Sequence, residues 1–313
     1  MKKIVTFSLM TTGLLYFVGI ALADLNNGLV AYYPFNENAN DESGYDNNGT
    51  VHGATLTLDR FKKANRAYSF DGVENYIVIN NKHKHNIGTE EATLSAWIII
   101  GDSQSDSWDG NEIGAIAGKG YLGNENGHGL YVNEKKVVYQ VHKGTEIVEV
   151  SSDKTLNDQQ WHHIVGVLER DETDGVKLYI DSQLQSTTGD PTLFQGKNLN
   201  SSVAFTIGTR EHEGYRFNFN GTIDDVRIYN RALSKSEIQE LYEMDEETNQ
   251  LTPKEEAKLS EKCWAVFSED NSLHIPCVKV KDSSGKEVEY EVDMQYQISS
   301  DPISFQLTNV KPK

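Results

Sequence analysis

The sequence predicts an all-β chain, a sandwich of antiparallel strands, on three observations. From Gly28 to Tyr229, short runs of β-branched and aromatic residues alternate with Gly, Asn and Asp. The runs recur at sandwich spacing, and no interval between them shows a helical period. In order they are GLVAYYPF (28–35), NRAYSF (65–70), YIVIN (76–80), ATLSAWIII (92–100), GLYV (129–132), KVVYQVH (136–142), EIVEV (146–150), WHHIVGVLE (161–169), VKLYID (176–181) and VAFTIG (203–208), closed by the run through Ile223 to Tyr229. Asp71-Gly72, Asp174-Gly175 and Asn220-Gly221 carry hairpin-turn chemistry. The stretches 101–112 and 117–129 are expected as long loops.

One helix is expected after the last of these strands. Ser234 and Glu237 form a capping box ahead of Ile238, Leu241 and Tyr242, which share a face. This helix ends the first domain, residues 24–242. A charged linker over 243–262, nearly free of aromatics, follows it. The runs CWAVF, LHIPCVKV, VEYEVDMQYQI and ISFQLTNV then predict a small four-stranded β domain over 263–313.

Residues 1–23 combine Lys2 and Lys3, a long apolar stretch and Ala21-Leu22-Ala23. That is the pattern of a secretory signal peptide cleaved after Ala23, so a secreted, periplasmic or cell-surface location is expected. No other stretch is apolar enough to span a bilayer. In an oxidising compartment Cys263 and Cys277, the two cysteines of the chain, are expected as a disulfide.

The chain carries a net charge of −18, which repels phosphate backbones and sets nucleic acid aside as a partner. Within it, the adjacent Asp224 and Asp225 stand out in a strand-like run. Strict alternation puts Asp224 on one face with Val226 and Ile228, and Asp225 on the other with Arg227 and Tyr229. A bare carboxylate on an apolar face costs several kcal/mol, at about the scale of burying an isolated ion, so Asp224 requires a partner.

Catalytic patterns are sparse. Glu289, Glu291 and Asp293 alternate on one face but fall in the small second domain, where a solvated acidic face accounts for them. His162 and His163 sit where a strand begins and are expected to be structural, and His83 and His85 form only a loop pair. No G-x-S-x-G, H-E-x-x-H or Walker sequence is present. The chain is therefore expected not to be an enzyme.

The segment 28–242 resembles the LamG-like jelly-roll family of the concanavalin A-like lectin/glucanase superfamily. The resemblance is carried by LVAYYPFNENANDESGYDNNGTV, AYSFDGVENYIVI, ATLSAWIII, WHHIVGVLERDETDGVKLYIDSQL and FTIGTREHEGYRFNFNGTIDDVRIYNRALSKSEI, in that order. It implies a concanavalin A-like jelly roll that binds carbohydrates or glycoconjugates, or alternatively proteins at a cell surface. Glycoside hydrolases also occur in the superfamily, but their E-x-D-x-E strand is missing here. The resemblance further implies a structural calcium ion where D-x-S-G-x-x-N-x-G meets I-D-x-V-R-I-Y. Asp41, Ser43, Asn47 and Asp224 would be its ligands.

Ligand contacts in such jelly rolls come from edge loops or a sheet face, with sugar rings stacked on aromatics. Trp108 in the first long loop, Tyr121, Asn124 and His128 in the second, and Arg210, His212 and Tyr215 in 209–218 are the candidates.

Overall fold

A computed structural model describes residues 25–79, 85–102, 104–106, 112–120, 125–212, 215–244, 266–267, 272–281, 287–297 and 304–312. The chain divides into two compact units, Asp24–Glu243 and a second that includes Met244–Lys313. The first is a sandwich of two eight-stranded antiparallel sheets.

In the first sheet, Asn220–Tyr229 is the organising strand. On one edge it pairs with Ala92–Ile100, which leads outward through His162–Leu168, Val176–Ile180 and Gln183–Leu184. On the other edge its first half pairs with Ala67–Asp71 and its second half with Leu29–Tyr33. The second sheet runs Glu146–Ser151, Lys136–Lys143, Asn126–Asn133, Glu112–Lys119, Phe205–Ile207, Tyr76–Ile79, Gly49–His52. Leu94, Ile98, Val226 and Ile228 of one sheet and Ile77, Leu130, Tyr139 and Phe205 of the other form the core between them.

Three features depart from the sequence reading. Asp224 stands opposite Trp97 while Arg227 stands opposite Ser95, so two residues, Asp225 and Val226, face one on the neighbouring strand. This is a β-bulge, and Asp225 accommodates it with a φ of 50°. The bulge breaks the alternation. Ile223, Val226 and Ile228 enter the core, whereas Asp224 lies on the outer face with Trp97 and Arg227, not beside Val226 and Ile228. It falls where the strand changes partners along one edge, from Ala67–Asp71 to Leu29–Tyr33.

Asn220-Gly221 is not a turn but the start of that strand. A Cβ on Gly221 would lie 2.1 Å from the Ile99 carbonyl oxygen, so glycine serves close strand approach. Finally, Glu112–Lys119 is a central strand between Asn126–Asn133 and Phe205–Ile207, so the expected loops 101–112 and 117–129 are shorter than their sequence suggested. Its small residues concealed it. They are there because its neighbours crowd it: a Cβ on Gly114 would sit 3.1 Å from the Phe219 Cα.

The helix Lys235–Glu243 is capped as expected: the Ser234 amide donates to Glu237 Oε2 at 2.7 Å and the Glu237 amide to Ser234 Oγ at 3.3 Å. Ile238 and Leu241 are buried, and Tyr242 stacks on Trp97 at 5.7 Å, covering part of the first sheet's outer face. In the second unit Val266–Phe267, Ser272–Lys281, Glu287–Gln297 and Ser304–Pro312 form a four-stranded antiparallel sheet in chain order. The signal-peptide segment, the linker over 245–262 and Cys263 of the expected disulfide lie outside the described residues. Among those described, no helix is long and apolar enough to cross a membrane.

Candidate functional site

The outer faces of the two sheets each carry a cluster of charge and aromatic rings. On the first sheet, the bulge turns both Asp224 and Asp225 outward, and they are 3% and 1% exposed. Arg60, from the loop before Ala67–Asp71, donates Nη1 to Asp224 Oδ2 at 3.1 Å and also to Asp225 Oδ2. Its guanidinium lies 4.4 Å from the Phe61 ring centre and 4.8 Å from that of Trp97. The Tyr32 hydroxyl donates to Asp225 Oδ1 at 2.7 Å, and Arg227 pairs with the same oxygen at 3.5 Å.

Burial, then the neighbouring Asp225, raise the Asp224 carboxyl well above the ordinary carboxylate range, and Arg60 opposes them. Beneath the cluster His163 bonds Ser95 Oγ at 2.8 Å and stacks on Trp97. Burial first, then Arg227 and Arg60, push its pKa down to about 3. The face is closed: the acids answer the arginines, and the rings cover them.

Asp41, Ser43 and Asn47 meet at one turn. The Asp41 carboxylate accepts the amides of Tyr32 (3.0 Å), Ser43 (2.9 Å) and Asn47 (3.0 Å), and these bonds lower its pKa against the opposing effect of burial. The Val30 carbonyl accepts Asn47 Nδ2 at 3.2 Å and Ser43 Oγ at 3.5 Å, while Asn47 Oδ1 is buried with no hydrogen-bond partner. Asp224 is not at this turn; its oxygens are taken by Arg60 and the Asp225 amide. Among the described residues no group of three or more His, Cys, Asp and Glu is placed to hold a metal.

The second sheet's outer face holds a cavity of about 190 Å³. Tyr76, Gly118, Tyr131 and Thr206 line it because they alternate with the core residues Ile77, Ala117, Leu130 and Phe205. Gly118 and Gly129 are register partners, and a Cβ on Gly129 would lie 2.4 Å from Tyr131 Oη. The glycine pair thus leaves the floor on which the Tyr131 ring lies. Arg210 and Arg216 complete the wall, with guanidinium groups 4.7 Å above Tyr131 and 5.1 Å above Tyr76.

Backbone pairing positions Arg210. Its carbonyl accepts the Phe217 amide at 2.8 Å, Phe217 in turn bonds Ala115, and the Thr209 carbonyl accepts Thr206 Oγ1 at 2.6 Å. Among the described residues that line the cavity, none is acidic.

Of the ligand-contact candidates, Arg210 lines this cavity. His128 does not: it points between the sheets, 1% exposed, its Nδ1 3.0 Å from the Tyr139 hydroxyl, and burial pushes its pKa down to about 3. It belongs to the strand Asn126–Asn133, on the same face as Leu130, and is a core residue. His212 and Tyr215 lie on the short strand pair Glu211–His212 and Tyr215–Arg216. Trp108, Tyr121, Asn124 and His83 lie outside the described residues, whereas His85 is buried against Phe205. His162 bonds Asp181 and Asp158, a structural arrangement.

Sequence reasoning missed Arg60, Tyr76, Tyr131 and Arg216. The two glycines that pair beneath Tyr131 were the signal that could have found the floor.

A family model described as the concanavalin A-like lectin/glucanases superfamily, laminin G type, matches residues 71–239. Among solved structures, the binding domain of a paraclostridial mosquitocidal protein is similar at 15% identity and a TM-score of 0.57, over 90% of this chain and 67% of that one. Domain 4 of a GH43 extracellular arabinanase from Geobacillus stearothermophilus, solved with arabinotriose, is similar at 17% and 0.50, over 69% and 98%. The binding domain of botulinum neurotoxin DC, solved with rat synaptotagmin II, is similar at 12% and 0.54, over 92% and 78%. At such identities the likeness is one of fold. A search of curated proteins found no match.

Proposed function

Because the chain belongs to the laminin G type of the concanavalin A-like lectin/glucanase superfamily, we propose that it is a non-catalytic binding module whose ligand is a carbohydrate. The observation that carries this reading is the cavity on the second sheet, where Tyr76 and Tyr131 stand with Thr206, Thr209, Arg210 and Arg216. Aromatic faces accept the C–H side of a sugar ring, and the few polar groups around them fix its orientation. The arabinotriose bound by the arabinanase domain shows that this architecture takes sugars in one neighbour. The synaptotagmin complex shows that it takes proteins in another.

A binding role fits better than hydrolysis because hydrolysis needs two carboxyl groups across the ligand, and the described residues of the cavity lining include none. The signal pattern at 1–23 supports a location outside the cytoplasm for the module. A structural calcium belongs to this reading only at the 41–47 turn, where Asn47 Oδ1 has an unused acceptor. The fourth residue of the expected set, Asp224, is neutralised by Arg60 instead. One carboxylate and a few neutral oxygens make a weak calcium site.

A glycan array, run with calcium and with chelator on the wild type and Tyr131→Ala, tests the proposal. Specific glycan binding that Tyr131→Ala abolishes is expected. Binding that survives this substitution unchanged would move the site elsewhere, and a blank array would end the carbohydrate reading.

A further inference from the structure

Resting on the carbohydrate reading, we propose that the sugar this cavity takes is acidic: a ring bearing a carboxylate, of the uronic-acid type, held with its acid against Arg210 and its ring against the edges of the tyrosines that line the cavity. The other buried guanidinium groups have partners that Arg210 lacks. Arg60 is answered by Asp224 and Asp225, and Arg227 by Asp225. Arg170 donates to the carbonyls of Gly88, Glu90, Phe194 and Lys197. Arg210 is 8% exposed, and among the described residues no carboxylate pairs with it.

Its Nη1 reaches Gln140 Oε1 at 3.3 Å, and Nε and Nη2 have no hydrogen-bond partner. An arginine left so far from water without a counter-charge is destabilising unless something supplies one. Arg216 lines the same cavity, its guanidinium over Tyr76. In a chain of net charge −18, an arginine buried like Arg210 with no acid among the described residues that line its cavity is a local reversal of sign.

A neutral sugar would satisfy hydrogen bonds but leave that charge unmatched. A carboxylate matches both, because its two oxygens fit the planar guanidinium fork. The ring component of the ligand follows from the tyrosines, since a bare anion has no use for Tyr76 and Tyr131. The size of the cavity limits the occupant to about one ring, below the range of ordinary drug-sized sites.

The test is calorimetric titration of the full chain with trigalacturonic acid, with the neutral galactose trisaccharide of the same linkage, and with acetate, at low and at physiological salt. The proposal expects the acidic trisaccharide to bind at least tenfold more tightly than the neutral one. That advantage should shrink as salt rises. It should vanish in Arg210→Gln and survive in part in Arg210→Lys. The wild-type ratio and its salt dependence do not require any variant to fold.

Equal binding of the two trisaccharides, with both lost in Tyr131→Ala, overturns the acidic class and leaves the carbohydrate reading standing. Acetate binding as tightly as the trisaccharide overturns it as well, since the site would then read charge and not sugar. No binding of either sugar overturns the inference together with the reading beneath it.

Discussion

The outer faces of the two sheets use the same pairing, arginine against aromatic rings, to opposite ends. On the first sheet Arg60 lies against Phe61 and Trp97, as Arg210 lies against Tyr131 on the second. Arg60, however, meets two buried carboxylates and lies in a face that Tyr242 helps to cover, whereas Arg210 meets none and lines a cavity. A stacked arginine is therefore no sign of function by itself. What separates architecture from a site is whether the protein supplies the counter-charge.

The sharpest way to break this comparison is to remove Arg60. Asp224 would be left buried and uncompensated and Asp225 with Arg227 and Tyr32 alone, so Arg60→Ala should cost about 3–5 kcal/mol. For a domain of this size that is a fall in melting temperature of roughly 6–20 °C. Adding Asp224→Asn and Asp225→Asn to it should recover much of the loss. If calorimetry finds Arg60→Ala melting with the wild type, the face is not held by its charges.

Acid should attack the closed face next. The pKa of His163 is depressed by burial to about 3, so below an unfolded value of about 6.5 the unfolded chain binds a proton that the folded one refuses. Its contribution is intact above about pH 6.5 and is lost as pH falls toward 3, at up to about 1.4 kcal/mol per pH unit. His163→Asn should flatten the stability profile in that window; denaturant titrations at pH 7, 6 and 5 that give parallel slopes for both chains would count against it.

Crowding at the floor of the cavity sharpens the contrast from the other side. Gly129→Ala presses a methyl group against the buried Tyr131 ring and the Ala117 carbonyl, so it should cost about 1–3 kcal/mol. Ligand affinity should nonetheless fall severalfold as Tyr131 is displaced. A smaller effect still is expected from chelators. With Asp224 already paired, removing calcium should lower the melting midpoint by a few degrees at most, roughly what about 1 kcal/mol produces, and Asn47→Ala should erase that difference.

How far the sequence reveals these faces depends on the range of the determinants. The capping box at Ser234, the helix and the alternating strands are local patterns, and they are where the structure has them. The bulge is not local. Nothing in Ile223-Asp224-Asp225-Val226 announces that the alternation fails there; it fails because the strand changes partners along one edge at that point.

Arg60 lies 164 residues from the aspartate it neutralises, and no spacing rule connects them. Glu112–Lys119 was hidden by its alanines and glycines, which mimic a loop but exist so that neighbouring backbones can approach. The cavity went unseen for the same reason, because its floor is a glycine pair formed only when those strands align.

The central claim is that Arg60 is architecture and Arg210 is site, and a thermal melt with and without trigalacturonic acid tests it most directly. Ligand that binds only the folded chain raises its midpoint. Arg60→Gln should melt well below the wild type but still shift upward with ligand, while ligand-free Arg210→Gln should melt at or above the wild type and not shift. An Arg210→Gln chain that melts as early as Arg60→Gln, or that keeps the full ligand shift, would contradict the claim.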